Sequence, residues 1–496
     1  MGEAPVRRTD AGWVVDPDVH GVQIDSRRVE AGDIYVAIPG RTLDGRSFVN
    51  EAAARGALAV VAETPIPASP IPVVVVPSAR RAAAELAAAV AGYPGRLLIV
   101  TGVTGTNGKT SVVYWLRHLL VGSGEPAGML SSVENITGEP TPRQDHLTTP
   151  EAPDVQRALA GMVRAGMRRA VLEVSSHGLV QHRVDEVPFR VAVLTNITRE
   201  HLDFHGTMDA YIAAKRRLFT ELLSSDGVAI FNADDPYSPT IRERVRQRTH
   251  DFGVLRGEVR ARILQETAWS TRVRLIVAGR SDDVEVTVPA PGRYNVYNML
   301  AAVTAALGQG VPFERMVDTL DRLPPVPGRL EKAAQGDGVT VLVDYAHTPD
   351  GLAQVLQTVR RAVGSEGRIW LVFGARGARD QGKRPIMGEI AARLADAVIL
   401  TTDSPGPEEP ARIAEDLARG LREAGSRPWA VELDRRAAIR LAVQSASSGD
   451  IVLVTGRGPE REQIFGDRRV VLDDREAARE AMAERLSRPP AGVERG

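Results

Sequence analysis

The sequence predicts an α/β protein with two open, mostly parallel β-sheets. In the middle of the chain, short apolar segments alternate with helical stretches, the pattern of strands joined by crossover helices. These segments are RAVLEVS (169–175), VAVLTN (191–196) and GVAIFN (227–232). A second series follows the Pro-rich segment LPPVPG and comprises VTVLVDY (339–345), RIWLVFG (368–374), DAVILTT (396–402) and DIVLVTG (450–456). The two series predict two separate sheets.

Two breaks divide the chain into three expected domains. The breaks are YPG (93–95) and LPPVPG (323–328), and the domains are residues 1–94, 95–327 and 328–496. In the first domain, the segments 56–63 and 71–78 predict short buried strands, and the Ala-rich segment 79–92 predicts a helix closed by Gly92. Alternating apolar and charged residues over 257–289 predict a few antiparallel strands. The tail SRPPAGVERG (487–496) is expected to be disordered.

Composition narrows the class of protein. The 496 residues are 43% hydrophobic and 25% charged, with 63 acidic and 62 basic side chains. This balance provides no field to attract nucleic acid or anionic lipid. No apolar run reaches the ~18 residues of a membrane helix, and the N-terminus lacks the apolar core of a signal peptide. The chain has no cysteine, which excludes disulfides, thiolate nucleophiles and Cys-ligated zinc. We therefore expect a cytoplasmic protein without a nucleic-acid partner or membrane insertion.

A glycine loop lies between a predicted strand and a predicted helix, in VTGVTGTNGKTSVVYW (100–115). Backbone amides in such a loop, together with the N-terminus of the following helix, bind phosphate. Lys109 is placed to reach the β- and γ-phosphates, and Thr110 to bind Mg²⁺. The common P-loop spacing has glycine where this chain has Val103, so an ordinary glycine-rich turn is the alternative. The expected nucleotide-binding residues are Gly105, Thr106, Asn107, Gly108, Lys109, Thr110 and Ser111.

Lysine is rare in this chain. Its four lysines are Lys109, Lys215, Lys332 and Lys383, and the other 58 basic residues are arginine. A retained lysine therefore indicates a position that needs a compact amine rather than a guanidinium.

The motifs resemble those of the Mur ligase family, ATP-dependent amide-forming enzymes of peptidoglycan precursor synthesis. GTNGKT is similar to the family's ATP loop. Further similar segments lie along the chain in the family's order: DSRRVEAGDIYVAIPGRTLDGRSF (25–48), EVSSHGLVQHRV (173–184), TNITREHLDFHGTMDAYIAAKRRLF (195–219), NADDP (232–236), GRYNVYNMLAA (292–302), GRLE (328–331), VDYAHTPD (343–350) and FGARGARDQGKRPIMGEIA (373–391). The resemblance covers nearly the whole chain and implies a three-domain Mur ligase architecture, with a central P-loop ATPase sheet and a C-terminal Rossmann-like sheet.

The same resemblance implies an activity and its participants. The chain would add an amino acid to UDP-MurNAc-L-Ala-D-Glu through an acyl phosphate. Its partners would be that UDP-MurNAc-dipeptide and a free amino acid, and its cofactors ATP, two Mg²⁺ ions and a carbamate on Lys215.

Metal and catalytic residues are implied at several positions. Glu173 ends a predicted strand at the carboxyl edge of the sheet, where it can bind Mg²⁺ beside Thr110; a capping or ion-paired glutamate is the alternative. The resemblance assigns His201 to a second Mg²⁺, the alternative being an ordinary packed histidine. It assigns a CO₂-derived carbamate to Lys215, the alternative being a surface lysine. Carbamylation needs a neutral amine, which lysine can provide and arginine cannot.

The remaining site residues are implied by the resemblance alone. Arg329 would contact ATP phosphate, Asp344 the ribose, and Asn295 and Asn298 the base from the start of a helix. A site divided between two domains implies closure before chemistry. The residues implied to bind the acid and amine substrates are Ser26, Thr148, Thr149, Ser175, Gln181, Arg183, Arg379, Asp403, Gly456 and Glu460.

The expected amino-acid pocket departs from the family pattern. Family members that use meso-diaminopimelate read D-N-P-R where this chain reads DSPG (403–406), and the later G-K-G-H-E reads GRGPE (456–460). Position 406 therefore lacks the arginine that would bind a second carboxylate. A distal ammonium needs no such partner and could use Glu408 or Glu409, so lysine or ornithine is the expected amino acid. In the first domain, RTL (41–43) also replaces a more polar stretch.

Two other functions remain open from the sequence. One is a related ligase for a different acid and amine, such as a folate polyglutamate or a secondary-metabolite substrate. The other is a non-catalytic paralogue that binds UDP-muropeptide. The opening segment 25–40 argues against a folate enzyme. The second function is disfavoured by the complete set Lys109, Thr110, Glu173, His201 and Lys215.

Overall fold

The structure is a computed structural model that describes residues 5–10, 12–40, 43–139, 147–267, 269–363 and 367–487. Arg41 and Thr42 of the RTL segment, and residues 488–496 of the tail, lie outside the described residues. Two compact units are formed: unit 1 comprises Met1–Ile197, Met208–Arg260 and Asn298–Thr319, and unit 2 comprises Thr198–Thr207, Ala261–Tyr297 and Leu320–Gly496. Among the helices described, none combines the length and the apolar character that crossing a membrane requires.

The β-strands follow one another along the chain as β1 Val6–Thr9, β2 Gly12–Val15, β3 Gly21–Gln23, β4 Asp33–Val36, β5 Ala59–Ala62, β6 Val73–Val75, β7 Ile99–Thr104, β8 Ala127–Leu130, β9 Asn135–Ile136, β10 Arg169–Glu173, β11 Phe189–Leu194, β12 Leu223–Asn232, β13 Arg248–Gly253, β14 Val259–Glu266, β15 Thr271–Val277, β16 Val284–Val288, β17 Glu331–Gly336, β18 Val339–Asp344, β19 Ile369–Phe373, β20 Ala397–Leu400, β21 Ala430–Val431, β22 Ile451–Thr455, β23 Glu462–Phe465 and β24 Arg468–Val471.

The α-helices are α1 Val49–Ala54, α2 Ala79–Val90, α3 Lys109–Gly122, α4 Ala152–Arg164, α5 Ser176–Val180, α6 Leu202–His205, α7 Met208–Arg217, α8 Ser238–Arg242, α9 Arg293–Gly308, α10 Phe313–Leu320, α11 Pro349–Val363, α12 Lys383–Leu394, α13 Pro410–Glu423, α14 Arg435–Ser445 and α15 Asp474–Ser487. Single 3₁₀ turns lie at Ser26–Arg28, Gly45–Phe48 and Pro94–Leu97, and a π-helical turn follows α7 at Leu218–Leu222.

Unit 1 begins with a small parallel sheet in the order β3-β4-β5-β6. The predicted helix over 79–92 is confirmed as α2: the side chain of Ser78 accepts a hydrogen bond from the Arg81 amide at the helix start, and Gly92, at φ +71°, follows its end. The prediction of two buried strands holds for β5 but is wrong for β6. Val75 is 51% exposed, because β6 is the edge strand and has a neighbour on one side only.

The larger sheet of unit 1 contains strands in the order β13-β12-β11-β7-β10-β8-β9. β7 lies at its centre and pairs in parallel with β11 and β10. The strands predicted at 169–175, 191–196 and 227–232 are β10, β11 and β12. All three are parallel strands of this sheet, with β7 between β10 and β11 and with β12 beside β11. Central position and burial on both faces explain their continuous apolar sequences. The carboxyl end of β7, which leads into the glycine loop, is therefore held by two neighbouring strands.

Unit 2 contains a six-stranded sheet in the order β17-β18-β22-β19-β20-β21, parallel except for the edge strand β17. Helices α11, α12 and α13 contribute apolar side chains to one face of this sheet, and α14 and α15 contribute to the other. Helices on both faces make it the second open α/β sheet that the sequence predicts. The antiparallel pair β15 and β16 confirms the antiparallel pattern predicted within 257–289.

Candidate active site

The glycine loop connects β7 to α3 and has a backbone that only glycine accommodates at two positions. Gly105 has φ +149° and Gly108 has φ +86°. A Cβ at Gly105 would lie 1.9 Å from Oγ1 of Thr195, and one at Gly108 would lie 2.1 Å from Oδ1 of Asn298. The two glycines thus leave a concave backbone surface at the N-terminus of a 14-residue helix, an arrangement that suits a phosphate group.

The end of β11 and the residues after it hold the loop in place. The side chain of Thr195 donates to the Asn107 carbonyl at 2.6 Å, and Nδ2 of Asn196 donates to the same carbonyl at 3.0 Å. The Asn107 amide in turn donates to Oδ1 of Asn196 at 2.9 Å. The sequence analysis did not identify Thr195 and Asn196 as supports of the loop. Their place directly after an apolar strand was the available signal.

Two of the four lysines meet in this loop. Nζ of Lys109 donates to the carbonyls of Gly105 at 2.9 Å and Thr106 at 2.8 Å. Nζ of Lys215, on α7, donates to the same Gly105 carbonyl at 2.7 Å and lies 4.5 Å from the centre of the Tyr211 ring. Lys215 is 1% exposed, so the alternative of a surface lysine is wrong.

A hydroxyl and a carboxylate converge at the next strand ends. Glu173, the last residue of β10, is buried and its Oε1 accepts hydrogen bonds from the amide of Ser132 at 2.9 Å and from its hydroxyl at 3.2 Å. The hydroxyl oxygens of Ser132 and Thr110 are 3.2 Å apart. Hydroxyl and carboxylate oxygens are ligands that Mg²⁺ accepts. The structure therefore brings Thr110 and Glu173 together, with Ser132, which the sequence analysis missed, between them.

A second polar group lies beside Glu173 and includes three of the residues expected to bind the sugar nucleotide. Oγ1 of Thr149 donates to the Glu173 carbonyl at 2.9 Å and lies 3.0 Å from Oγ of Ser175. Arg183 donates to the Thr149 carbonyl at 2.9 Å, and its guanidinium is 2.8 Å from the Glu151 carboxylate. The residues expected to bind the metal and those expected to bind the sugar nucleotide therefore both lie at the carboxyl end of β10.

The other expected sugar-nucleotide residues are placed separately. Ser26 donates to Glu51 at 2.6 Å. Thr148 is half-buried, and Gln181 has a buried Oε1 without a hydrogen-bond partner among the described residues. Two residues after Ser26, Arg28 forms a bidentate pair with Asp154 on α4, at 2.7 and 3.0 Å.

In unit 2, the carboxylate of Asp344 organises the loop that carries Arg329. Its two oxygens accept hydrogen bonds from the amides of Leu330 and Ala346, both at 2.7 Å. Burial raises the pKa of Asp344, against the opposing charge of Arg329. The Arg329 guanidinium lies 4.5 Å from the centre of the Tyr345 ring. Asp344 therefore fixes the backbone directly after Arg329 and the backbone directly after Tyr345, whose ring this cation contacts.

The remaining expected residues around the nucleotide lie in short segments. His201 precedes α6 with φ +55°, and its Nε2 is 3.5 Å from Glu200. Asn295 is buried near the start of α9 and donates to the Pro291 carbonyl at 2.8 Å. Asn298 is one turn further along the same helix, beside Gly108.

Three of the four expected amino-acid residues, Asp403, Gly456 and Glu460, lie in a charged cluster at the carboxyl edge of the unit 2 sheet. The Asp403 side chain is fully buried, and a Cβ at Gly456 would lie 2.6 Å from its Oδ2. Glu460 pairs with Arg376, whose Nε is 3.8 Å from Oδ1 of Asp403. The sequence analysis missed Arg376 and instead selected Arg379 three residues later, which is exposed.

The two other acids considered for this pocket have different surroundings. Glu408 accepts both terminal nitrogens of Arg384 at 2.9 Å, and this pairing lowers the pKa of Glu408 to about 2. Glu409 is exposed at the start of α13. Arg457 of the altered GRGPE segment is fully buried against Asp474 and donates to the Leu472 carbonyl at 3.0 Å, a structural pairing.

Three family models match consecutive parts of the chain: "Mur ligase family, catalytic domain" over residues 18–92, "Mur ligase middle domain" over 103–306, and "Mur ligase, glutamate ligase domain" over 328–458. A UDP-N-acetylmuramoyl-L-alanyl-D-glutamate–2,6-diaminopimelate ligase of Geobacillus kaustophilus (strain HTA426) is 39% identical, over 95% of this chain and 96% of that protein. The chain belongs to the Mur ligase family.

Two further relatives match this Mur ligase over nearly its whole length, one by sequence and one also by structure. A UDP-N-acetylmuramyl-tripeptide synthetase of Roseiflexus sp. (strain RS-1) is 40% identical over 95% of this chain and 96% of its own. A solved 2,6-diaminopimelate ligase of the same UDP-MurNAc-dipeptide class is 32% identical and covers 97% of this chain and 98% of its own, with a TM-score of 0.64. The three-domain Mur ligase architecture expected from the sequence is confirmed.

Within this architecture the predicted residues divide between the two units. Unit 1 carries the glycine loop, Lys215, the metal candidates Thr110 and Glu173, the sugar-nucleotide candidates and Asn298. Unit 2 carries His201, Asn295, Arg329, Asp344 and the amino-acid candidates. Within each unit, the candidates near a strand end are in contact: Lys109 and Lys215 share a carbonyl, Thr110 and Glu173 share Ser132, and Asp403 lies against Gly456.

Proposed function

We propose that this Mur ligase uses ATP to join a diamino acid to UDP-MurNAc-L-Ala-D-Glu in peptidoglycan precursor synthesis. The observation that carries the proposal is the pairing of a phosphate-shaped loop with a hydroxyl–carboxylate pair, Thr110 and Glu173, bridged by Ser132. Relatives of nearly the same length that are named for this reaction support the choice of substrates. The chain would then act in the cytoplasm, where its nucleotide substrates occur.

The loop residues fit ATP and Mg²⁺. The surface left by Gly105 and Gly108 is one that a Cβ would fill, and Lys109 can exchange its two carbonyl contacts for phosphate oxygens. Thr110 and Glu173 would hold one Mg²⁺, with Ser132 orienting both side chains. When bound, the ion neutralises charge on the phosphate oxygens. His201 and Lys215 are assigned to a second ion on the family resemblance.

Lys215 is proposed to carry a carbamate. Two ammonium groups that donate to one carbonyl oxygen are close neighbours and repel each other. Lys109 is needed as a cation at the phosphates, so the carbamate is assigned to Lys215, as the family resemblance implies. A neutral amine adds CO₂, and the resulting carbamate is an anion that a metal ion can bind.

The reaction proceeds in two steps. A carboxylate oxygen of the acid substrate attacks the γ-phosphorus of ATP, its bond to ADP breaks, and an acyl phosphate forms. Lys109 stabilises the charge that develops on the phosphate, and Arg329 is assigned the same role. The amino group of the second substrate then attacks the acyl carbon, and phosphate leaves as the amide forms. Protein side chains act here by binding and electrostatics, and no covalent enzyme intermediate is needed.

The substrates are assigned to domains as the sequence suggests. Residues 1–94 would bind the uridine nucleotide, residues 95–327 ATP, and residues 328–496 the amino acid. Thr149, Ser175 and Arg183 lie next to Glu173 and would hold the sugar-nucleotide chain near the metal. Asp403, Gly456, Glu460 and Arg379 would contact the amino acid, and Asn295, Asn298 and Asp344 the nucleoside of ATP.

Phosphate release tests this function. The purified chain with ATP and Mg²⁺ should release phosphate only when both UDP-MurNAc-L-Ala-D-Glu and a diamino acid are present. Tight binding of the UDP-muropeptide without phosphate release under any combination would identify a non-catalytic binding protein instead. Release with a different acid, and none with the UDP-muropeptide, would identify a ligase of another substrate class.

A further inference from the structure

Arg376 lies between the two acids that are assigned to the amino-acid substrate. It follows β19 at the carboxyl edge of the unit 2 sheet, where open α/β sheets bind ligands. Its guanidinium pairs with the Glu460 carboxylate, and its Nε is 3.8 Å from Oδ1 of Asp403. The Arg376 side chain is only 21% exposed. The site therefore contains a cation, Arg376, in addition to the two acids, Asp403 and Glu460, that were expected from the sequence.

Asp403 is the acid of this cluster whose carboxylate lacks hydrogen bonds among the described residues. Its side chain is fully buried, and neither carboxylate oxygen has a hydrogen-bond partner among the described residues. Burying a carboxylate without hydrogen bonds is costly. The absence of a side chain at Gly456 leaves Oδ2 uncovered on that side, since a Cβ there would lie 2.6 Å away. Asp403 is thus suited to accept hydrogen bonds from a ligand ammonium group.

The charges of the cluster distinguish two kinds of amino-acid end group. Arg376, Asp403 and Glu460 together carry one net negative charge. A lone ammonium, as at the end of lysine, can bind Asp403 but leaves the guanidinium without a new partner. An end group with both an ammonium and a carboxylate can bind Asp403 and Arg376 together, and a guanidinium binds a carboxylate in bidentate geometry.

One of the two alternative acids for a lone ammonium, Glu408, is already paired. Glu408 is held by both terminal nitrogens of Arg384, and Arg384 is also 3.0 Å from Asp416. The expectation that lysine or ornithine is preferred rested on the missing arginine at Gly406 and on Glu408 or Glu409 as the partner of the ammonium. Glu409 is exposed at the start of α13. With Arg376 present in the pocket, neither the lack of an arginine at position 406 nor the nearby acids exclude an amino acid with a second carboxylate.

We propose that Arg376 determines the specificity for the amino acid, selecting one whose far end carries both an ammonium and a carboxylate. Asp403 binds the ammonium together with Glu460, which exchanges its pairing with Arg376 for the ligand. Arg376, released from Glu460, binds the carboxylate that position 406 cannot. The inference rests on the proposed function and assigns its amino acid to the diamino dicarboxylic acids. It replaces the sequence-based expectation of lysine or ornithine.

Competition between amino acids in the wild type and in Arg376 variants tests the proposal. With UDP-MurNAc-L-Ala-D-Glu and ATP, the wild type should use meso-diaminopimelate at least ~10-fold more efficiently than lysine or ornithine. Arg376→Ala should raise KM for meso-diaminopimelate at least ~30-fold, the effect of removing one partner of a charge pair, while kcat/KM for lysine stays the same or rises. Arg376→Lys should recover part of the loss, because its amine binds one carboxylate oxygen at a time.

The control is Arg393→Ala, at an arginine of α12 that is 69% exposed and pairs with Glu389; it should leave every constant unchanged. Equal losses for all amino acids in Arg376→Ala, or preference for lysine by the wild type, would overturn the proposal. If no amino acid supports turnover, the proposed function fails, and calorimetric binding of meso-diaminopimelate to wild type and Arg376→Ala then decides the inference alone. Equal binding by both would refute it.

Discussion

Lys109 and Lys215 donate to the same backbone carbonyl, that of Gly105, at 2.9 and 2.7 Å. The two side chains come from different helices, α3 and α7, and half of the lysines in the chain meet at this one oxygen. One is placed at the phosphate loop and the other is fully buried. Their proximity places the lysine proposed to carry a carbamate beside the lysine proposed to bind phosphate.

The carbamate proposed on Lys215 predicts a characteristic pattern of loss and rescue. Lys215→Ala should lose nearly all ligation and recover part of it when small carboxylates are added, because these can replace the missing anion. Lys215→Arg should be inactive and should not be rescued, since a guanidinium cannot form a carbamate. Initial rates of phosphate release measure both. Turnover like that of the wild type in the arginine variant would show that a carbamate is not required.

Lys109→Ala should lower ligation at least ~100-fold, because a preorganised charge at the phosphates contributes several kcal/mol to the transition state. Binding of the uridine nucleotide, measured by calorimetry, should be unchanged. Lys332→Ala is the matched control: this lysine is exposed and its Nζ contacts Gln335 at 3.3 Å. If Lys109→Ala also abolished uridine-nucleotide binding, the loss of activity would reflect misfolding rather than catalysis.

The bridge between Thr110 and Glu173 predicts a change in metal requirement. Ser132→Ala removes a hydroxyl that lies 3.2 Å from each of their side-chain oxygens. We expect the Mg²⁺ concentration for half-maximal activity to rise about 2- to 10-fold, the effect of one hydrogen bond of about 0.5–1.5 kcal/mol. Ser225→Ala, at an exposed position of β12, should not change it. A lower maximal rate with an unaltered Mg²⁺ dependence would argue against a metal at this pair.

His347 predicts a pH dependence of stability. Burial lowers its pKa well below the usual value, assisted by the charges of Lys383, Arg376 and Arg329, while its Nε2 is 3.9 Å from Glu200. Below pH ~6.5 the unfolded chain binds a proton at this residue and the folded chain does not. The stability that the neutral imidazole contributes is therefore complete above this pH and is lost as pH falls toward the folded pKa.

Replacement of His347 by Gln should remove this pH dependence. The unfolding free energy of wild type minus variant should decrease between pH 7 and pH 5, by at most about 1.4 kcal/mol per pH unit. Denaturant titrations at three pH values measure it, and His20→Gln, at an exposed residue, is the control. Parallel profiles of the wild type and His347→Gln would contradict the assignment.

The parts of the site that could be predicted are those whose residues are close together in the sequence. The glycine loop could be predicted because its parts follow one another in the chain: the strand β7, Gly105 and Gly108, and the start of α3. Glu173 was found because it ends an apolar run. Ser132 and Arg376 were missed because their importance arises from partners 22 to 84 residues away, and β8, which leads to Ser132, is too short to be recognised by periodicity.

The expectation of lysine or ornithine, which the proposal for Arg376 replaces, has a similar basis. Gly406 indicated that the pocket lacks a positive charge, because the family pattern has its arginine at that position. In the folded chain, the cation beside Asp403 comes from the loop after β19, and the cation that holds Glu408 comes from α12. The charges in a pocket come from residues that are brought together at the ends of several strands. Their positions in the sequence do not show which of them will meet.

Transfer of labelled oxygen tests the central claim, that ATP activates the carboxylate of the UDP-muropeptide. UDP-MurNAc-L-Ala-D-Glu with ¹⁸O in its free carboxylates is incubated with ATP, Mg²⁺ and meso-diaminopimelate, and the released phosphate and the nucleotide product are analysed by mass spectrometry. An acyl phosphate intermediate predicts one ¹⁸O atom in the phosphate for each tripeptide product formed. Unlabelled phosphate, or phosphate release without a tripeptide product, would contradict the account.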